Sequence, residues 1–105
     1  MTDAILVLTM LPNADAAVET AKTLVKEKLA ACVNILPAAR SIYRWKGQIE
    51  DASEVLVLLK TRHEHYDRVQ ARILELHPYE VPEVLAIPVE HGYYPYLEWL
   101  ARETT

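Results

Sequence analysis

Two short apolar runs constrain the fold of this chain more than any other feature of its sequence. "AILVLTM" covers residues 4–10 and "EVLVLLKT" covers residues 54–61. Both runs are nearly continuous in apolar, partly β-branched residues and have the length of a strand buried on both faces. Because side chains alternate between the faces of a strand, a sheet centred on these runs is apolar on both sides.

Helical patterns follow both runs. After the first run, apolar residues recur at helical spacing behind Asn13, a suitable N-cap. After the second, Thr61 and Glu64 have the spacing of a capping box, which predicts the start of another helix. His63 and His65 lie two residues apart there and cannot chelate one metal from a helix, so we expect them on a solvated face.

Prolines predict which strands lie at the sheet edges. The extended segment from Cys32 to Trp45 contains Pro37, and the last strand, "EVLAIPVE", contains Pro88. Proline lacks the N–H that a central strand needs, so both strands belong at an edge or at a bulge. Gly47 marks the turn of a long hairpin. The prediction is a single α+β domain over residues 1–105, a ferredoxin-like βαββαβ sandwich with an antiparallel sheet of order 4-1-3-2 and a C-terminal helix.

The predicted fold leaves one sheet face without cover. Two crossover helices pack on one side only, and the short last helix is too small to hide the other. Each uncovered Leu or Val forgoes about 1.5–3 kcal/mol of burial. Oligomerisation through the sheet is therefore expected.

Composition excludes several classes of function. The net charge of −4 and the pI of about 5.5 disfavour nucleic-acid and membrane binding. A single cysteine, no signal-peptide pattern and no long apolar span predict a cytoplasmic protein. With two glycines there is no phosphate-binding loop, and no hydrolase, metalloprotease or deaminase motif occurs. We therefore expect no catalytic activity and no required cofactor.

The segment "ELHPYEVPEV", residues 75–84, offers the best candidate metal ligands. The imidazole of His77 suits Cu²⁺, Zn²⁺ or Ni²⁺, and Glu80 and Glu83 lie close in sequence. A structural role is also open, because a histidine at a helix end can hold a stiff proline-rich loop in place. Cys32 is either a soft copper ligand or a small buried hydrophobe, and no second cysteine accompanies it.

Aromatic residues predict subunit contacts bordering a cleft. Tyrosine and tryptophan combine large apolar area with a polar tip, as interfaces and cleft walls require. The residues assigned to this role are Tyr43, Trp45, Tyr79 and Trp99, together with Lys60.

Several motifs, in order and spanning nearly the whole chain, resemble the CutA divalent-cation tolerance proteins. They are "KLAACVNI", "SIYRWKGQIE", "LLKT", "LHPYEVPEV" and "YLEWL". The resemblance implies a homotrimer with long hairpin arms, similar to PII signalling proteins, and a link to tolerance of copper and other divalent cations. It also implies that His77 is the foremost copper contact. Thr9 and Leu76 stand where the family's other proposed ligands, a cysteine and a second histidine, would lie.

Two hypotheses follow. The first is a noncatalytic cytoplasmic homotrimer that binds divalent metal, copper preferred, through His77, Glu80, Glu83 and Cys32. The second is a PII-like signalling scaffold whose intersubunit clefts, walled by Tyr43, Trp45, Lys60 and Tyr79, hold a small anionic molecule or a peptide.

Overall fold

The computed structural model describes residues 2–105, which form the alternating strands and helices expected from the sequence. The elements in chain order are β1 (Ala4–Leu11), α1 (Ala14–Lys26), β2 (Cys32–Trp45), β3 (Gln48–Arg62), a 3-10 turn (His63–His65), α2 (Tyr66–Leu76), β4 (Val84–Pro88) and α3 (Tyr94–Arg102). Within residues 2–105, no helix is both long and apolar enough to cross a bilayer.

The sheet has the predicted topology. Its strands are all antiparallel and lie in the order β2-β3-β1-β4, which is the expected 4-1-3-2 read from the opposite edge. The proline-bearing strands β2 and β4 are the edges, as predicted. Pro37 lies within a bulge between Leu36 and Ala39, where Ala38 adopts a left-handed φ of 65°. The extra residue resolves the conflict between a long strand and a proline in its middle.

Helices α1 and α2 cover one face of the sheet, and the main core lies between them. Asn13 caps α1 as predicted, since its side-chain oxygen accepts a hydrogen bond from the Ala16 amide at 2.8 Å. The odd-numbered residues of β1 and β3 point into this core, with Val7, Val57 and Leu59 fully buried. The helices contribute, among others, Leu24, Val69 and Ile73.

The opposite side of the sheet, here called the open face, is apolar and only partly covered. It consists of even-numbered β1 and β3 residues with their neighbours on the edge strands: Leu6, Leu8, Met10, Leu36, Leu56, Leu58, Leu85 and Ile87. Leu85 and Ile87 are 57% and 48% exposed. Helix α3 contacts β1 and β3 at one end of this face, so most of it lacks cover within the chain.

Beyond the bulge, β2 and β3 continue as a projecting hairpin, here called the arm, residues 39–54. It contributes to a longest dimension of 45 Å for the chain. At its tip Trp45 pairs with Gln48 across Lys46 and Gly47, whose φ angles are 48° and 79°. Two consecutive positive φ angles define the type I′ turn, which matches the twist of the strands. Gly47 meets the second of these at no steric cost.

The structure corrects two expectations at the junction of β3 and α2. Thr61 is not part of a capping box: it is a buried β3 residue whose hydroxyl donates to the Leu29 carbonyl at 2.7 Å. His65 is not solvated: it is 3% exposed, whereas His63 is exposed as predicted. The turn that carries His65 directs its ring inward, which helical periodicity did not predict.

His65 lies between two guanidinium groups. Nη2 of Arg62 is 3.1 Å from its Nε2, and Arg68 contacts its Nδ1. The same arginines hold the last residues of the chain, because Arg62 donates to the Thr104 carbonyl at 2.6 Å and Arg68 to the Thr105 carbonyl at 2.7 Å. Burial, followed by the positive charges of Arg62 and Arg68, lowers the pKa of His65 below its usual 6.5.

We predict that His65 makes the fold sensitive to mild acid. A histidine whose folded pKa is depressed stays neutral in the fold but takes up a proton when unfolded. Its contribution to stability is therefore complete above pH 6.5 and is lost as the pH falls below that value. The urea midpoint should decrease between pH 7.5 and pH 5, and His65→Gln should make this decrease smaller. His63→Gln, an exposed change in the same turn, should leave the decrease unaltered; an equal decrease in the His65→Gln variant would contradict the assignment.

Candidate functional site

The loop between α2 and β4 and the arm together form a cleft of about 540 Å³. Its lining combines aromatic and apolar residues with three carboxylates: Met10, Tyr43, Trp45, Glu54, Pro78, Tyr79, Glu80, Val81 and Glu83. The volume falls within the range of small-molecule sites. The loop that appeared in the sequence as a candidate metal site therefore forms one wall of a cleft.

His77 fastens this loop to the sheet. Its backbone amide completes the last turn of α2 by donating to the Ile73 carbonyl at 2.8 Å. Nε2 lies 2.7 Å from the Met10 carbonyl, which only accepts, so Nε2 carries the proton. Nδ1 then accepts the Tyr79 amide at 3.2 Å. Both ring nitrogens are thus engaged, and burial lowers the pKa of His77 despite the opposing effects of the Met10 carbonyl and Glu54.

Tyr79 and Glu54 form the polar floor of the cleft. Glu54 is only 7% exposed and lies on β3, two residues before Leu56 of the open face. The Tyr79 hydroxyl donates to Oε2 of Glu54 at 2.6 Å. Burial, and then the hydrogen bond and negative charge of Glu54, raise the pKa of Tyr79 above its usual range. The phenol therefore remains a donor at neutral pH, which suits a buried carboxylate.

Sequence reasoning missed Glu54. The alternation of side chains along a strand would have identified it. Glu54, Leu56 and Leu58 lie on the same face of a central strand, so the sequence places an acid on an apolar face. A carboxylate at such a position requires a hydrogen-bonding partner. Tyr79 is the partner that the fold supplies.

The remaining acids lie nearer the rim. Glu80 forms an ion pair with Lys46 at 3.8 Å, and both side chains are about 70% exposed. The Lys46 ammonium also lies 5.6 Å from the centre of the Trp45 ring. Glu83 is exposed and lines the cleft without an ion pair among residues 2–105.

The four predicted metal ligands do not come together in one chain. His77, Glu80 and Glu83 belong to the loop, whereas Cys32 begins β2 opposite Lys60. Met10, which lines the cleft, pairs with Leu56 of β3. Lys60, the partner of Cys32, lies four residues farther along β3, which places the two pairs about 13 Å apart. Over residues 2–105, no three His, Cys, Asp or Glu side chains converge closely enough to hold a metal ion.

The positions of the other proposed family ligands are also informative. Thr9 is fully buried on the helix-covered side of the sheet, and its hydroxyl is the one buried side-chain polar atom within residues 2–105 that lacks a hydrogen-bond partner. Leu76 is half-buried at the end of α2. Thr9 therefore points away from the open face, on which Met10 and Glu54 lie.

The predicted aromatic residues fall into two groups. Tyr43, Trp45 and Tyr79 line the cleft within one chain. Lys60 and Trp99 lie at the opposite end of the open face, where the Lys60 ammonium is 5.8 Å from the Tyr96 ring and Tyr96 is 5.4 Å from Trp99. Within one chain, Lys60 is therefore not a wall of the cleft.

Comparison with known proteins agrees with this architecture. Residues 5–103 match the family model of the CutA1 divalent ion tolerance protein. Protein CutA of Homo sapiens is 47% identical over 89% of this chain, and the matched region spans 52% of the human protein. The divalent-cation tolerance protein CutA of Thermus thermophilus is 45% identical and is covered to 95% of its length. A solved structure from the same organism superimposes with a TM-score of 0.95 at 43% identity, covering 97% of this chain and 99% of that one.

The names of the relatives mention more than one compartment, chloroplastic and periplasmic among them. A CutA protein of Arabidopsis thaliana, 42% identical over 95% of this chain and covered to 55% of its own length, is named as chloroplastic. The predicted cytoplasmic location thus does not follow from family membership. The match over nearly the whole chain, the identities and the shared fold confirm the resemblance seen in the sequence motifs: this chain belongs to the CutA1 divalent ion tolerance family.

Proposed function

We propose that this chain acts as a noncatalytic homotrimer that binds divalent cations, copper preferred, and thereby contributes to their tolerance in the cytoplasm. The observation that carries the proposal is the cleft, which is lined by three carboxylates and no basic residue, while His77 immediately precedes its lining residues Pro78 and Tyr79. A net charge of −4 adds to the attraction of cations.

His77, Glu80 and Glu83 are the proposed metal contacts. Nδ1 of His77 is the nitrogen free of a proton, and a metal ion reaches it only if the Tyr79 amide gives up its hydrogen bond. That exchange costs about 1 kcal/mol, which lowers the affinity of one chain for the metal by about fivefold. Copper is preferred because Cu²⁺ binds nitrogen and oxygen ligands more tightly than the other first-row divalent ions. Cys32 could contribute only from another subunit, given its distance from the cleft in its own chain.

The homotrimer is supported by the open face. Leu85 and Ile87 together with half-buried Leu8 and Leu58 form an apolar surface across the two central strands and one edge. Contiguous apolar surfaces of this kind mark interaction sites. A further copy of the chain is the economical cover, and the number three comes from the resemblance to family trimers.

The cleft also supports a second candidate, the PII-like ligand-binding scaffold. Its aromatic walls and volume of about 540 Å³ suit a small molecule. The carboxylates of the cleft repel the anionic ligand expected from the sequence. Lys60, the cation assigned to that ligand, lies outside the cleft of its own chain.

We predict that His77 is required for copper binding. Native mass spectrometry of the purified protein with a slight excess of Cu²⁺ should show a trimer that gains copper, and His77→Ala should abolish the gain. His63→Ala, which removes an exposed histidine outside the cleft, should leave copper uptake unchanged. Glu83→Gln tests the site without disturbing the hydrogen bonds of His77 and should weaken uptake. Undiminished copper on a folded His77→Ala trimer would exclude His77, and a wild-type trimer without copper would contradict the metal proposal.

We further predict that a charge on the open face breaks the assembly. Ile87→Asp should reduce the mass in solution from three times the 12.0 kDa chain to a smaller species, because burying an unpaired carboxylate is costly. Leu74→Asp is the matched control, since Leu74 lies on α2, away from the open face, and is also 48% exposed. Light scattering after size-exclusion chromatography measures both. If Ile87→Asp keeps the wild-type mass, β4 is not part of the interface.

A further inference from the structure

The cleft has properties that a metal site does not need. The acids that line it do not form a three-ligand group for a metal ion within residues 2–105. Its volume of about 540 Å³ exceeds what an ion and its inner ligands require. Tyr43, Trp45 and Tyr79 supply aromatic surface, which recognises organic groups rather than bare metal ions.

Glu54, a largely buried residue, provides an accessible acceptor at the base of the cleft. The residue is more than nine-tenths buried, and Tyr79 satisfies only its Oε2. Among the side-chain hydrogen bonds of residues 2–105, none reaches Oε1, and Glu54 lines the cleft. Because the Thr9 hydroxyl is the one buried side-chain polar atom without a partner within residues 2–105, Oε1 of Glu54 is accessible to solvent. A positively charged N–H donor from a ligand is a strong hydrogen-bonding partner for such an oxygen.

The rim of the cleft already accommodates an ammonium group. Lys46 places its Nζ 5.6 Å from the Trp45 ring centre and 3.8 Å from Glu80. An ammonium near an aromatic face and a carboxylate is the arrangement by which proteins recognise alkylammonium ligands. The lining itself contains three acids and no base, and the Lys46 ammonium at the rim is paired with Glu80.

We propose that this cleft binds a small organic ammonium ion, with its charged nitrogen directed to Oε1 of Glu54 and its carbon skeleton between Tyr43, Tyr79 and Trp45. Tyr79 remains protonated and holds Oε2, so Glu54 presents a single acceptor to the ligand. This inference concerns the same cleft as the metal proposal but does not rest on it, because it needs no coordination by His77.

Isothermal titration calorimetry in buffer containing a metal chelator tests the proposal, with phenethylammonium as the probe and 3-phenylpropionate as its anionic counterpart of similar size. The ammonium should bind and the carboxylate should not. Glu54→Gln should weaken binding by about tenfold or more, the loss expected for one charge-assisted hydrogen bond. Glu98→Gln, which changes an exposed acid of α3 outside the cleft, should leave the affinity unaltered.

A second variant keeps the test informative if Glu54→Gln unfolds. Trp45→Leu removes the aromatic face at the exposed tip of the arm but keeps an apolar side chain, and it should lower the affinity for the ammonium probe several-fold.

Equal binding of both probes, or no binding of the ammonium, overturns the proposal; the latter result also fits a cleft filled by a neighbouring subunit. Copper uptake without ammonium binding would overturn this inference alone, whereas ammonium binding without copper uptake would support it and contradict the metal proposal.

Discussion

Two central strands that are apolar on both faces impose the main constraint on this protein. Helices α1 and α2 bury one face, where Val7, Val57 and Leu59 are fully inaccessible, and α3 reaches only one end of the other. At roughly 25 cal/mol per Å², the uncovered leucines represent several kcal/mol of unrealised burial. The proposed assembly would recover this burial, and the site borders the surface through which assembly is proposed.

The cleft depends on the same sheet. His77 bonds to the Met10 carbonyl at the end of β1 and positions the proline-rich loop, while Tyr79 of that loop satisfies Glu54 on β3. His77, the candidate metal ligand in the sequence, thereby holds one wall of the cleft in place. Glu54, which was not predicted from the sequence, forms the floor of the cleft. The Glu54 carboxylate is thereby held in a fixed position at the cleft, where the proposed ligands would meet it.

Sequence reasoning predicted the fold well because its signals are local and redundant. Apolar runs identified β1 and β3, prolines placed β2 and β4 at the edges, and the Asn13 cap was confirmed. It failed where the outcome depends on distant partners. Thr61 bonds Leu29, His65 turns inward between arginines, and Glu54 meets Tyr79 from 25 residues away. Tyr43, Trp45 and Tyr79 line one cleft within the chain and Lys60 lies at the opposite end of the open face, whereas the predicted role of all four in clefts between subunits stays a prediction.

Small-angle X-ray scattering of the purified protein tests the central claim, that further copies cover the open face. A single chain has a Cα radius of gyration of 14.2 Å. A trimer closed over this face has a scattering mass three times that of the chain and a radius of gyration of about 20 Å, the value typical of a compact particle of that size. A chain-sized mass with a radius close to 14.2 Å would show that the open face stays exposed in solution, and would contradict the proposed assembly.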